Sequence, residues 1–141
     1  TEVAPKKIVE LFEEQYLASA APFVLKGYQL TRKNQEDFLV ASVTRDGDDL
    51  TLEGRASGVV GAFMNALQKQ TGKEMVLVEY NEHTLNSAEG AAADAVTYVQ
   101  LNINQRRYCG VGRSSDIVEA SLRAILSAVN QPLSLEKTIA A

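Results

Sequence analysis

Tryptophan is absent from this chain of 141 residues, and cysteine and histidine occur once each, as Cys109 and His83. A lone thiol excludes an internal disulfide, and one thiol with one imidazole falls short of a zinc site. A basic excess is missing too, with 14 Lys and Arg against 18 Asp and Glu for a net charge of -4. That balance argues against nucleic acid as a partner, because phosphates need a positive surface. No apolar run approaches the roughly 20 residues that cross a bilayer, and no signal-peptide pattern opens the sequence. The expectation is a cytoplasmic chain with no membrane partner. What is present is ordinary for one globular domain, 45% hydrophobic and 23% charged.

Residues 108–130 read YCGVGRSSDIVEASLRAILSAVN. Gly110-Val111-Gly112 ahead of a helix invites a dinucleotide-binding reading. The third position of that fingerprint falls on Ser115, however, and no acidic residue caps a second strand about twenty residues on. The glycines need another reason.

Periodicity supplies the elements. APKKIVELFEEQYL reads as a helix, with Pro5 in its first turn and Ile8, Leu11, Phe12 and Leu17 at helical spacing. SAAPFVLKG then reads as a connector, broken at Pro22 and ending at Gly27. YQLTR alternates as a strand does, and DFLVASVTRDGDDLTLEGRA folds as a hairpin at Asp46-Gly47. Ser57 is the expected cap of a helix whose face is Val60, Phe63, Met64 and Leu67, with Gly72 ending it. MVLVEY is a strong strand, followed by the softer NEHTLNSAEGAAAD. AVTYVQLNI and RRYCGVG form strands around a turn at Asn104-Gln105. Ser114 or Ser115 is the expected cap of a last helix striped by Val118, Leu122, Ile125 and Val129. Residues 132–141 read as a loose tail.

The two halves repeat. An offset of 58 pairs Ser57 with Ser115, Gly54 with Gly112, Val60 with Val118, Ala62 with Ala120 and Ala66 with Ala124. It also lays Asp46-Gly47 over Asn104-Gln105. The glycines thus mark a strand-to-helix corner used twice. The expected fold is α+β, with two βββα repeats over 28–72 and 75–131, behind a helix and linker over 1–27.

This pair of motifs, with LVEYNEH between them and VAPKKIVELFEEQYL ahead, resembles the C-terminal regulatory domain of 2-isopropylmalate synthases. The resemblance implies two βββα units with a pseudo-twofold relation, a homodimer, and leucine as an inhibitory effector. It also implies a non-catalytic fragment, the catalytic region lying before residue 1 with its divalent metal, and no cofactor in these residues. The related citramalate synthases carry a similar domain answering to isoleucine, and an effector-blind dimerisation domain is the other alternative. Carried over position by position, the effector pocket falls on Gly58, Val60 and Gly61 at the first helix start, then Leu77, Tyr80, Thr84 and Ala93. The family's Gly-Asn-Gly-Pro ahead of that helix is replaced here by Ala56-Ser57-Gly58-Val59.

A free amino acid needs donors for its carboxylate, acceptors for its ammonium and an apolar slot. Helix starts supply unpaired N–H groups and the positive dipole end. Asp116 in the second helix start repels an anion, whereas the first begins Gly58-Val59-Val60 without an acid and is the better anchor. Glu82, or carbonyls between Asn81 and Asn86, would take the ammonium. Leu77 and Tyr80 lie three apart, so strict alternation sends them to opposite faces unless the strand bulges or a partner chain contributes. On pattern alone Val60 and Leu77 are ordinary core positions, and His83 is a hydrogen-bonded strand-end residue. Cys109 with His83 as nucleophile and base lacks a fixed partner, Arg106 and Arg107 read as solvated turn charges, and DGDD lacks calcium-loop spacing.

Overall fold

The computed structural model describes residues 21–85 and 94–140, with side chains to Glu136. Six strands and two helices follow in the order βββαβββα: β1 (Phe23–Lys33), β2 (Glu36–Arg45), β3 (Asp48–Ala56), α1 (Val59–Thr71), β4 (Met75–Leu85), β5 (Asp94–Ile103), β6 (Arg106–Ser114) and α2 (Ile117–Ala140). Each repeat is a three-stranded antiparallel meander, β1-β2-β3 or β4-β5-β6, closed by a helix. This is the α+β arrangement of two βββα units that the repeat predicts.

The hairpin turns sit where the residues tolerate a left-handed backbone. Asp46 and Gly47 have φ of 52° and 89°, and Asn104 and Gln105 have 48° and 72°. A third such pair, Asn34 and Gln35 at 53° and 63°, turns β1 into β2. Gly72 ends α1 at φ 69°, its N–H donating to the Gln68 carbonyl.

One core unites the repeats. Phe63 and Leu67 of α1 and Leu122, Ile125 and Val129 of α2 bury against Leu39, Ala41 and Val43 of β2 and Val99, Leu101 and Ile103 of β5. The glycines of the opening puzzle set how closely each helix lies on its sheet. A Cβ on Gly112 would stand 2.1 Å from the Ala120 carbonyl oxygen, and one on Gly54 would stand 1.9 Å from that of Ala62. Gly110 meets Ala124 and Ala128 in the same way, so Ala120, Ala124 and Ala128 rest directly on β6. Contact with a helix, not with phosphate, is what these glycines provide.

The repeats also clasp each other reciprocally. Asn130 of α2 accepts from the Phe23 N–H and donates to its carbonyl, both at 2.9 Å, pinning the start of β1. Gln68 of α1 accepts from the Met75 N–H at 3.1 Å, pinning the start of β4.

Three boundaries differ from the sequence reading. β1 begins at Phe23, so FVLKG is strand and not connector; Phe23 is fully buried and anchors it. The segment NEHTL continues β4 to Leu85. Residues 132–140 are not a loose tail but the last turns of α2, because Leu133 extends the buried stripe one turn beyond Val129 and Lys73 pairs with Glu136. Pro132 sits inside that helix. The helix expected over residues 5–17 lies outside the described residues.

Candidate functional site

The two helix starts occupy equivalent places and differ in their caps. The cap of α1 is Gly58, in extended backbone with φ −151° and ψ 160°, with no side-chain cap and no acid in the first turn. Fifty-eight positions on, Asp116 takes the same place at α2. Its Oδ1 accepts from the N–H groups of Val118 at 2.9 Å and Glu119 at 3.3 Å, and its Oδ2 accepts from the Tyr28 hydroxyl at 2.5 Å. One helix start therefore already holds a carboxylate, while the other presents bare donors.

This corrects the expected caps. Ser57 does not cap α1, and Ser115 does not cap α2; both caps fall one residue later. Ser114 instead accepts from the Asp116 N–H and donates to Glu119. Asp116, one residue nearer the helix than Ser115, accepts from two of its orphan N–H groups through Oδ1.

Strand β4 carries the other half of the predicted pocket. Leu77 pairs with Leu101, but Glu79 pairs with Gln100 and Tyr80 with Val99, so Val78 is an extra residue in a bulge. Leu101, Val99, Thr97 and Ala95 all point to the buried side of β5. Their partners Leu77, Tyr80, Glu82 and Thr84 consequently share that same face. The bulge resolves the conflict that strict alternation poses for Leu77 and Tyr80. The equivalent bulge in β1, between Leu25 and Gly27, puts Leu25 and Tyr28 on the helix side in the same manner.

Tyr80 is the polar centre of this face. Its hydroxyl donates to Glu82 Oε2 at 3.1 Å and lies 2.6 Å from Ser121 Oγ of α2. Burial raises its pKa, with the Glu82 charge reinforcing the shift and the Ser121 and Thr97 hydroxyls opposing it. For Tyr28, the hydrogen bond to Asp116 comes first, then burial, and the pKa is pushed up to about 12. The same bond lowers the Asp116 pKa, aided by the Glu119 and Val118 N–H groups and opposed by burial. Asp116 is therefore a firmly held carboxylate, which keeps added anions away from α2.

Of the predicted residues, Gly58, Val60 and Gly61 stand together at the start of α1, half-buried. Leu77, Tyr80 and Thr84 stand together on β4, exposed. Val60 packs on the core, as its pattern alone suggested, whereas Leu77 does not. α2 lies along β1, but α1 gives β4 no comparable cover. Ala93 and Asn86 lie outside the described residues.

The remaining motifs are structural. His83 sits on β4 opposite Val96 and Cys109 on β6 opposite Gln100, with β5 between them, so they form no nucleophile–base pair. The His83 ring meets Tyr98 edge-on at 5.5 Å. Arg107 bonds Asn102 and Gln100 across the sheet. No metal-binding group of His, Cys, Asp and Glu forms among the described residues, and no described helix is long and apolar enough to cross a membrane. A cavity of about 380 Å³ lies on the outer face of the second sheet, lined by Tyr98, Gln100, Cys109 and Val111 among others.

Comparison with known proteins agrees with this architecture. Residues 2–133 match the LeuA allosteric (dimerisation) domain. The chain is 36% identical over 137 residues to 2-isopropylmalate synthase of Clostridium acetobutylicum, covering 92% of this chain and 24% of that protein. It is 36% identical over 135 residues to 2-isopropylmalate synthase of Corynebacterium glutamicum, covering 94% and 21%. For the enzyme of Brucella melitensis the identity is 32% over 134 residues, covering 92% and 24%. The chain thus spans about a fifth to a quarter of the length of these relatives. A doubled βββα unit and a match across nearly its whole length make this chain a member of the LeuA allosteric (dimerisation) domain family.

Proposed function

We propose that this chain is the leucine-sensing module of a 2-isopropylmalate synthase and carries feedback inhibition of leucine biosynthesis. The observation that carries this reading is the contrast between Gly58 and Asp116. At α2 the protein places its own carboxylate on the helix N–H groups and under a tyrosine hydroxyl. At α1 the same place is held by a glycine without a side-chain cap, and the carboxylate of a free amino acid supplies what the chain omits. The Val60 and Gly61 N–H groups then receive that carboxylate, favoured by the helix dipole. Leu77 and Val60 form the apolar slot, Tyr80 and Thr84 flank it with Ala93, and Glu82 takes the ammonium.

The parent enzyme is, on this reading, an acyltransferase joining acetyl-CoA to 2-oxoisovalerate with a divalent metal. That chemistry belongs outside these 141 residues. The module itself catalyses nothing; it couples effector occupancy to a distant site.

Calorimetric titration with leucine, isoleucine, valine and lysine tests the reading. Leucine binding that is lost in Tyr80→Ala or Gly61→Asp supports it. Leucine and isoleucine are isomers that differ only in the position of one methyl branch, so the preference between them is modest. A preference for isoleucine points to a citramalate synthase type of sensor. Silence from all four leaves a dimerisation module, with Ala56-Ser57-Gly58-Val59 as the altered element.

A further inference from the structure

The duplication isolates a polar cluster that the first repeat does without. Tyr80 has its counterpart in Tyr28, but Glu82, two residues beyond it, falls on Leu30. Thr97 and Ser121 fall on Leu39 and Phe63, both members of the core. Thr97 and Ser121 are themselves 0% and 1% exposed. Hydroxyls thus stand in the second repeat where the first has hydrocarbon, a costly exchange unless each finds a partner. The fold alone does not require them.

Their hydrogen bonds do not close. Tyr80 Oη lies 3.1 Å from Glu82 Oε2 and 2.6 Å from Ser121 Oγ, which lies 3.2 Å from the Ile117 carbonyl oxygen one turn back. Three contacts need three protons, and the phenol and the serine hold one each. Thr97 Oγ1, meanwhile, is buried and completes no hydrogen bond among the described residues. Burial raises the Tyr80 pKa, and the Ser121 and Thr97 hydroxyls both oppose that rise, as donors turned towards a phenol oxygen do.

Two directions are therefore open to the same side chains. In one, Ser121 donates to Tyr80 and Tyr80 to Glu82, leaving Thr97 without a partner. In the other, Thr97 donates to Tyr80, Tyr80 to Ser121 and Ser121 to the Ile117 carbonyl. The outer contacts, 3.1 Å to Glu82 and 3.2 Å to Ile117, both exceed the usual hydroxyl bond of about 2.7–2.8 Å. Neither direction is drawn tight.

We propose that the Thr97, Tyr80 and Ser121 hydroxyls form a reversible hydrogen-bond relay between Glu82 and the first turn of α2, with its direction set by the charge at Glu82. A bare carboxylate draws the phenol proton to itself. A primary ammonium seated on Glu82 repels that proton and turns the phenol to Ser121, which then donates to Ile117 while Thr97 gains its partner. A ligand shifts such an equilibrium only through unequal interaction with the two states, and the orientation of the phenol dipole supplies the inequality. Ser121 and Thr97 are positioning residues on this account, carrying occupancy at Glu82 to the residue next to Asp116. The proposal rests on the effector reading for its ammonium ligand; the dependence on charge at Glu82 rests on the cluster alone.

Nuclear magnetic resonance of the isotope-labelled 141-residue chain tests it, read at the Ile117 carbonyl carbon and the hydroxyl-bearing carbon of Tyr80. Glu82→Leu, with no ligand present, is expected to move both resonances. Leucine added to the wild type is expected to move them in the same direction. Ser121→Ala is expected to hold the Ile117 resonance still in both experiments and to weaken leucine binding about threefold to tenfold. Tyr80→Phe, which removes only the hydroxyl, silences the Ile117 response to Glu82→Leu in the same way and serves if Ser121→Ala folds poorly. An Ile117 resonance indifferent to Glu82→Leu overturns the relay, as does a response that survives loss of either hydroxyl. Leucine separates the two ideas. A wild type that ignores leucine while Glu82→Leu moves Ile117 sinks the effector reading and supports the relay; leucine that binds without moving Ile117 sinks the relay alone.

Discussion

The Tyr28 hydroxyl donates to Asp116 Oδ2 at 2.5 Å, joining the first strand of one repeat to the helix cap of the other. The counterpart of Tyr28 is Tyr80, at the equivalent position after the bulge, and the counterpart of Asp116 is Gly58. The junction of β1 with α2 is therefore closed by a carboxylate, whereas Gly58 brings none to α1 and Tyr80 bonds Glu82 and Ser121 instead. Several consequences can be measured.

Gly58→Asp is expected to give opposite effects on stability and binding. A Cβ at Gly58 meets nothing within 4 Å, and the backbone there is extended, so the side chain fits. The new carboxylate caps α1 and complements its dipole, stabilising the fold by about 0.5–1 kcal/mol. Thermal melting registers this as a rise of about 2–4 °C. Leucine binding in the same variant is lost, because the anion site is filled from within. A variant that is more stable and still binds leucine argues against α1 as the carboxylate anchor.

The Tyr28–Asp116 pair leaves a signature at both ends of the pH scale. Asp116 has a lowered pKa in the folded chain, so its contribution to stability is complete above the ordinary carboxylate value and fades as pH falls through the lowered folded value. Urea titrations across acid pH should show this slope in the wild type and a shallower one in Asp116→Asn. Tyr28 is shifted upward to about 12, so its contribution is complete below the usual tyrosine value near 10 and is lost as pH rises through about 12. Ultraviolet titration of the wild type should show a late-ionising phenol that is missing in Tyr28→Phe.

Gly112→Ala is expected to be severe. The added methyl would press on the Ala120 carbonyl oxygen at 2.1 Å and the Ala124 nitrogen at 2.4 Å, both helix backbone, which cannot swing aside. Forcing α2 off β6 costs about 3 kcal/mol or more, read as a lowered urea midpoint. Gly27→Ala, where nothing lies within 4 Å, serves as the mild control.

Truncation after Gln131 tests whether the end of the chain belongs to the core. It removes buried Pro132 and Leu133 and the Lys73–Glu136 ion pair. A loss of about 2–4 kcal/mol is expected, mostly from Leu133. A truncated chain as stable as the intact one would return these residues to the status of a loose tail.

Much of this architecture was legible in the sequence because its signals are local. Asp46-Gly47 and Asn104-Gln105 announce their turns, Gly72 ends its helix, and the 58-residue offset links the halves. The failures came where tertiary contact decides. Phe23 reads as linker beside Pro22 until Asn130, 107 residues away, claims its backbone. Leu133 reads as part of a loose tail until the core beneath it is seen. For the candidate site, the lack of an acid at Gly58 was visible in one line of sequence, but the bulge at Val78 was not. Alternation posed the conflict between Leu77 and Tyr80, and only the register of β4 on β5 answered it.

That register has a consequence for the history of the chain. The first strands of the two repeats stand 52 positions apart, as Phe23 to Met75, while everything from β2 and β5 onward stands 58 apart. The six additional residues fall in one connection: Lys33 and Glu36 are separated by two residues, Leu85 and Asp94 by eight. A duplicated unit has thus been kept to matching length except for a single insertion. The connection that carries the additional residues follows directly on the strand of Leu77, Tyr80 and Thr84 and includes Ala93. The second repeat thus carries six more residues than the first, all between the strand of Leu77, Tyr80 and Thr84 and β5.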